Sequence, residues 1–170
     1  RMNFFFHHLA LLATISRPRF WLYLAGPYLL GAAAGSPIFY QHPGFYALAV
    51  FFALPANLFL YGINDYYDHD TDQLNPKKQS TEHLLTTSER PKLRVVLWCT
   101  VALYLLYALS LHNLVTSALL MLLLFLSYAY SAPPLRFKQR PFIDSLSNGL
   151  YVLPGIISYY TYAGHFPAWN

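Results

Sequence analysis

The chain has 170 residues, of which 56% are hydrophobic and only 11% charged, and its net charge is +4. An average soluble domain carries roughly 25% charged residues, so the composition argues against a soluble surface and for one that largely faces lipid. The positive excess is too small to point to nucleic acid, and a single cysteine, Cys99, excludes an intrachain disulfide.

Residues 1–19 contain a short apolar stretch, Phe4 to Ile15, broken by Arg17-Pro18-Arg19. With no convincing small-residue cleavage site, it reads as an interfacial segment leading into the first span rather than as a signal peptide. Five apolar stretches follow, at 20–39, 45–63, 95–111, 114–132 and 146–163, and none contains Lys, Arg, Asp or Glu. Each is close to the roughly 20 residues that cross a hydrocarbon core. The expected fold class is therefore all-α: a polytopic helical membrane protein with about five transmembrane helices, forming one membrane domain over 1–170. Gly26-Pro27, Pro55 and Pro154-Gly155 interrupt three of the spans. Such interruptions are tolerated where neighbouring helices or a cavity satisfy the freed carbonyls.

The loops set the topology. With the N-terminus inside, all 11 Lys and Arg fall on one side, together with all seven acidic residues. The opposite loops, from Ser36 to Gly44, at His112-Asn113 and from Gly164 onward, carry no Lys or Arg. This is the positive-inside pattern. It predicts an integral protein of the cell (inner) membrane with a cytoplasmic N-terminus and a cytoplasmic acidic loop.

That acidic loop begins at the end of the second span, Asn64-Asp65-Tyr66-Tyr67-Asp68-His69-Asp70-Thr71-Asp72. If the helix continues, Asn64, Asp68 and Asp72 stand at about 0°, 40° and 80° around its axis, with Asp65 beside them near 100° and Asp70 turned away near 240°. Crowded carboxylates near a membrane repel one another and lose hydration. Oxygen-only donors suit Mg²⁺, which takes one or two carboxylates and completes its shell with phosphate oxygens and water. Asn64, Asp65, Asp68 and Asp72 are the candidate metal ligands, and the pattern asks for a Mg²⁺–diphosphate. His69 and His83 read as bystanders.

A diphosphate also needs cations. Lys77 and Lys78 share the acidic loop, and Arg136, Lys138 and Arg140 follow the Pro133-Pro134 pair that ends the fourth span. A single such residue could merely obey the positive-inside rule or bind anionic lipid. Two basic loops flanking the acidic motif favour contact with phosphate oxygens. Most of the abundant tyrosines read as core or interfacial belt, and some are candidates to line a lipophilic pocket and face a carbocation.

These motifs resemble those of the UbiA superfamily of intramembrane prenyltransferases. Asn64, Asp65, Asp68 and Asp72 match its first Asp-rich signature, and Tyr130, Ser131, Pro133, Pro134, Leu135, Arg136 and Lys138 match a YSxPPLRxK stretch. The phrases Ser16 to Pro27, Pro55 to Asp65, Leu74 to Lys78 and Pro141 to Gly155 resemble the lycopene elongase branch, which makes C50 carotenoids of the bacterioruberin type. The resemblance implies a catalytic role for Asp68, Asp72, Arg136 and Lys138. It implies diphosphate binding by Lys77, Lys78, Arg136, Lys138 and Tyr130, with Mg²⁺ as cofactor. It further implies an allylic diphosphate donor, dimethylallyl diphosphate, and a lipophilic acceptor, lycopene. The superfamily's second Asp-rich signature has no counterpart here, since Asp144 is the only acidic residue beyond Glu89. The expectation is an N-terminal part of such an enzyme. The alternatives are a family member with a quinone, chlorophyll or archaeal lipid precursor as acceptor, or a catalytically incomplete membrane subunit. A cation transporter is disfavoured, because transporters place ionisable residues near the middle of their spans.

Overall fold

The computed structural model describes residues 10–73 and 84–167. Among these residues the structure is helical throughout, with no strand. Residues 10–15 are helical and lead through a short 3₁₀ turn, Pro18–Phe20, into α1 (Trp21–Gly35). The remaining helices are α2 (Pro43–Ala53), α3 (Pro55–Asp72), α4 (Arg90–Ser110), α5 (Leu114–Ser131), α6 (Pro141–Ser147) and α7 (Leu153–Ala163). Proline at the first turn starts α2, α3, α4, α6 and α7, where a missing N–H costs nothing. The Asn113 side chain caps α5 by accepting from the Thr116 N–H at 3.1 Å. Gly164, at φ 77°, closes α7 in the left-handed conformation that a glycine adopts without strain.

Helices occupy all five expected apolar stretches, but not as five continuous spans. Three helical stretches are long and apolar enough to cross a membrane, by length and composition: Pro43–His69, Arg90–Ser110 and Leu114–Ser131. The first expected span forms only the 15 residues of α1. The fifth is cut by a 3₁₀ turn, Asn148–Tyr151, into the seven residues of α6 and the 11 of α7. Hydropathy averages over such breaks, because it counts apolar residues and not hydrogen bonds.

The second span also bends, at Leu54-Pro55, and its helix does run on through the acidic motif to Asp72. Pro55 has no N–H to donate. The buried Asn57 carboxamide reaches back across the break, donating to the carbonyls of Phe52 at 2.7 Å and Ala53 at 3.1 Å. The most extensive helix pairing is α1 against α7. It depends on bare backbone: a Cβ built on Gly31 would stand 2.1 Å from the Gly155 carbonyl oxygen and 2.3 Å from Ser158 Oγ. Tyr28, fully buried, donates to the Phe45 carbonyl at 2.9 Å and accepts from the Tyr162 hydroxyl at 2.8 Å, tying α1, α2 and α7 together. Large apolar side chains elsewhere point outward, among them Trp98 and Leu109 on α4 and Leu114 on α5. That is costly in water and expected in lipid. The three spans mark an integral membrane protein.

Candidate active site

The last turns of α3 carry the acidic motif to one end of the bundle, where three other parts of the chain meet it. Arg17, just before the Pro18–Phe20 turn, reaches Asp65 with an Nη2–Oδ1 distance of 2.7 Å, and its guanidinium lies 4.8 Å above the Tyr61 ring. Arg136, after α5, donates to Asp68 Oδ1 at 3.3 Å and to the Tyr67 carbonyl at 3.1 Å. Lys138 pairs with the other oxygen of Asp68, Oδ2. Asn64 Nδ2 donates to Ser131 Oγ at 3.2 Å, which fixes its carboxamide against the end of α5. Arg90, at the start of α4, lies 4.7 Å over the Tyr66 ring.

A cavity of about 370 Å³ opens among these groups, lined by Arg17, Leu60, Tyr61, Asn64, Asp68, Asp72, Tyr130 and Tyr151. The i, i+4, i+8 spacing thus does what helix geometry predicts: Asn64, Asp68 and Asp72 face one space. Asp65 does not line it. Its carboxylate is turned to Arg17 and is nearly buried, so the expected convergence of three carboxylates reduces to two carboxylates and a carboxamide. The cause lies outside α3, since a cation from another element captures the acid that helix geometry left at the edge of the face. Among the described residues no three His, Cys, Asp or Glu side chains come together as a metal-holding group.

Tyr130 lines the cavity, and Arg136 and Lys138 stand beside it through their bonds to Asp68. Lys77, Lys78, His83 and the first nine residues lie outside the described residues, as does the side chain of Asp70. Sequence reasoning missed Arg17, Tyr61 and Tyr151. Tyr61 stands three residues before Asn64, nearly one helical turn, and that spacing was the one available signal. Arg17 gave none beyond its charge.

Two of the three non-glycine residues with positive φ among those described are Arg17, at 52°, and Arg136, at 40°. A left-handed backbone costs an ordinary residue about 1–2 kcal/mol, and such strain collects at functional sites. Arg17 and Arg136 each project a guanidinium that meets the acidic helix. The arrangement offers a pair of cations and a hard-oxygen donor set on one cavity at the end of apolar helices. The donors fit Mg²⁺: Asn64, Asp68 and Asp72 supply two carboxylates and an amide oxygen, and leave room for phosphate oxygens and water to complete the shell.

Comparison with known proteins follows the same line. Residues 19–170 match the UbiA prenyltransferase family. The chain is 47% identical over 161 residues to a lycopene elongase/hydratase of Haloarcula japonica, covering 94% of this chain and 54% of that protein. It is 42% identical to a protein of the same name from Haloferax volcanii, covering 94% of this chain and 52% of the relative. A C(50) beta-cyclic carotenoids biosynthesis protein, LbtBC, of a Dietzia species is 35% identical, over 88% of this chain and 34% of the relative. The chain thus spans about half the length of the haloarchaeal relatives it matches. No solved structure matches it.

Proposed function

The chain belongs to the UbiA prenyltransferase family, and from that premise we propose that its protein transfers a dimethylallyl group from an allylic diphosphate to lycopene, in the synthesis of C50 carotenoids. The observation that carries the reading is Asp68, held by both Arg136 and Lys138 on a cavity shared with Asn64 and Asp72. The acceptor rests on the names of the relatives at 42–47% identity.

In this reading Arg136 and Lys138 exchange the Asp68 carboxylate for the donor's diphosphate. The two cations are preorganised at the membrane end of α3 and α5, so little reorganisation is needed when charge builds on the leaving oxygens. The allylic C–O bond breaks and its electron pair leaves with the diphosphate. The π-faces of Tyr61, Tyr130 and Tyr151 stabilise the allylic cation left behind. A terminal double bond of the acceptor forms the new C–C bond, and the resulting cation loses a proton or takes up water. Asn64, Asp68 and Asp72 would hold Mg²⁺ at the diphosphate, with Asp65 positioned behind them through Arg17. The ion supplies charge neutralisation for the departing oxygens. Lys77 and Lys78 are proposed as further diphosphate contacts. The lipid around the helices delivers the acceptor and excludes water from the cation. The positive loops support a cytoplasmic position at the cell membrane for this end of the bundle, with α1 and the α6–α7 region proposed to complete the five spans.

The test uses the product of the full reading frame in lycopene-containing membranes, supplied with labelled dimethylallyl diphosphate and Mg²⁺. Mass analysis should show lycopene lengthened by one or two five-carbon units. Asp68→Ala should lower the rate by about 100-fold or more, the scale of losing a charge-stabilising group, and chelation of the metal should do the same. Label transferred to another lipid while lycopene stays unchanged would overturn the acceptor. An intact diphosphate in the presence of all components would overturn prenyl transfer itself.

A further inference from the structure

A second cavity, of about 350 Å³, lies against α3 between α4 and α5. It takes Phe59, Ile63, Tyr66 and Tyr67 from α3, whereas the acidic cavity takes Leu60, Tyr61, Asn64, Asp68 and Asp72. At about 100° per residue the two sets are centred roughly 140° apart on the helix. The two cavities are therefore on nearly opposite sides of α3. Its volume falls within the roughly 300–1,000 Å³ of small-molecule sites, and nothing in the transfer reaction uses it.

The wall on α4 is a single stripe, Arg94, Leu97, Trp98 and Val101. The i, i+3, i+4, i+7 spacing puts these four on one face over about 10 Å. The stripe has a polar end and an apolar length. Arg94 is exposed and makes no ion pair with a described residue. One turn earlier, the Arg90 guanidinium lies over the Tyr66 ring that lines the same cavity, and its Nε is buried with no acceptor among the described residues. Within this chain, about half the length of its haloarchaeal relatives, the groove faces outward: 22% of the α4 span is buried and Trp98 is 69% exposed.

We propose that this groove binds one anionic membrane lipid, with its phosphate between Arg94 and Arg90 and a hydrocarbon chain along Leu97, Trp98 and Val101. A soluble anion would use the arginines and leave the groove empty, whereas a zwitterionic lipid would fill the groove without the net charge the arginines ask for. An anionic amphiphile satisfies both ends. The site lies at the cation-rich end of the bundle, where a basic residue near an anionic membrane surface is worth about 1 kcal/mol. This inference goes beyond the proposed reaction and does not depend on it.

The experiment takes the full-length protein, delipidated in detergent, and follows retained lipid by native mass spectrometry and stability by thermal unfolding. Phosphatidylglycerol should stay bound at one copy per chain and raise Tm. Phosphatidylcholine and inorganic phosphate should do neither. Arg94→Gln should weaken phosphatidylglycerol retention about fivefold, the equivalent of one cation at a membrane surface. Val101→Trp, which fills the groove and leaves both arginines, should also release the lipid. Arg140→Gln removes one charge from the same end and should change nothing. Equal effects of the two lipids, equal effects of Arg94→Gln and Arg140→Gln, or stabilisation by phosphate alone would each overturn the proposal. Displacement of the lipid by dimethylallyl diphosphate would overturn it too, and would assign the groove to the donor.

Discussion

The charged residues at the end of α3 are paired across long stretches of sequence: Arg17 with Asp65, and Arg136 and Lys138 with Asp68. Removing one member of the Arg17–Asp65 pair leaves the other charge nearly buried and unmatched. Arg17→Leu or Asp65→Leu alone should therefore cost about 3 kcal/mol. The double variant should cost clearly less than the two together, as read from reversible unfolding in mixed micelles. Equal, additive losses would show that the pair is not coupled. The same pairs mark where sequence stopped informing. Asn64, Asp68 and Asp72 could be placed on one face from their spacing alone. Whether Asp65 joined them depended on Arg17, which lies 48 residues away in sequence and whose backbone adopts a left-handed conformation. No local pattern announces either fact, so the sequence put Asp65 with the metal ligands and left Arg17 as an interruption before the first span.

At the scale of elements, apolar runs marked where helices lie, and prolines marked where they begin. What could not be read was which helices pack through bare backbone. Gly31 has the Gly155 carbonyl and Ser158 where a side chain would go, whereas Gly44 has no neighbour there. Gly31→Ala should force α1 away from α7 and destabilise by about 3 kcal/mol. Gly44→Ala, on an exposed position of α2, should stabilise by about 0.5–1 kcal/mol through lower chain entropy. Thermal unfolding of both variants in one detergent checks the contrast, and equal behaviour would refute the close α1–α7 contact. The 3₁₀ turn that divides α6 from α7 escaped the sequence for a related reason. Asn148-Gly149 inside an apolar run is a turn signal, but hydropathy weighed it as two residues among many.

For the whole molecule, the described charges gather at one end of the bundle, and the proposed topology turns that end toward the cytoplasm. In a Cys99→Ser background, Gln139→Cys should react with a membrane-impermeant maleimide only after cells are opened. Gln41→Cys, in the turn between α1 and α2, should react in intact cells. The reverse result would invert the topology. The gathering has a further consequence, for ionic strength. Charges exposed to solvent are screened over about 3 Å at 1 M salt, so loose surface attractions vanish in strong brine. The Arg17 and Asp65 side chains are only 14% and 9% exposed, and those of Lys138 and Asp68 16% and 15%. The paired groups are in direct contact, so the frame that holds Asp68 and Asp65 in place should keep its geometry from dilute buffer to molar salt.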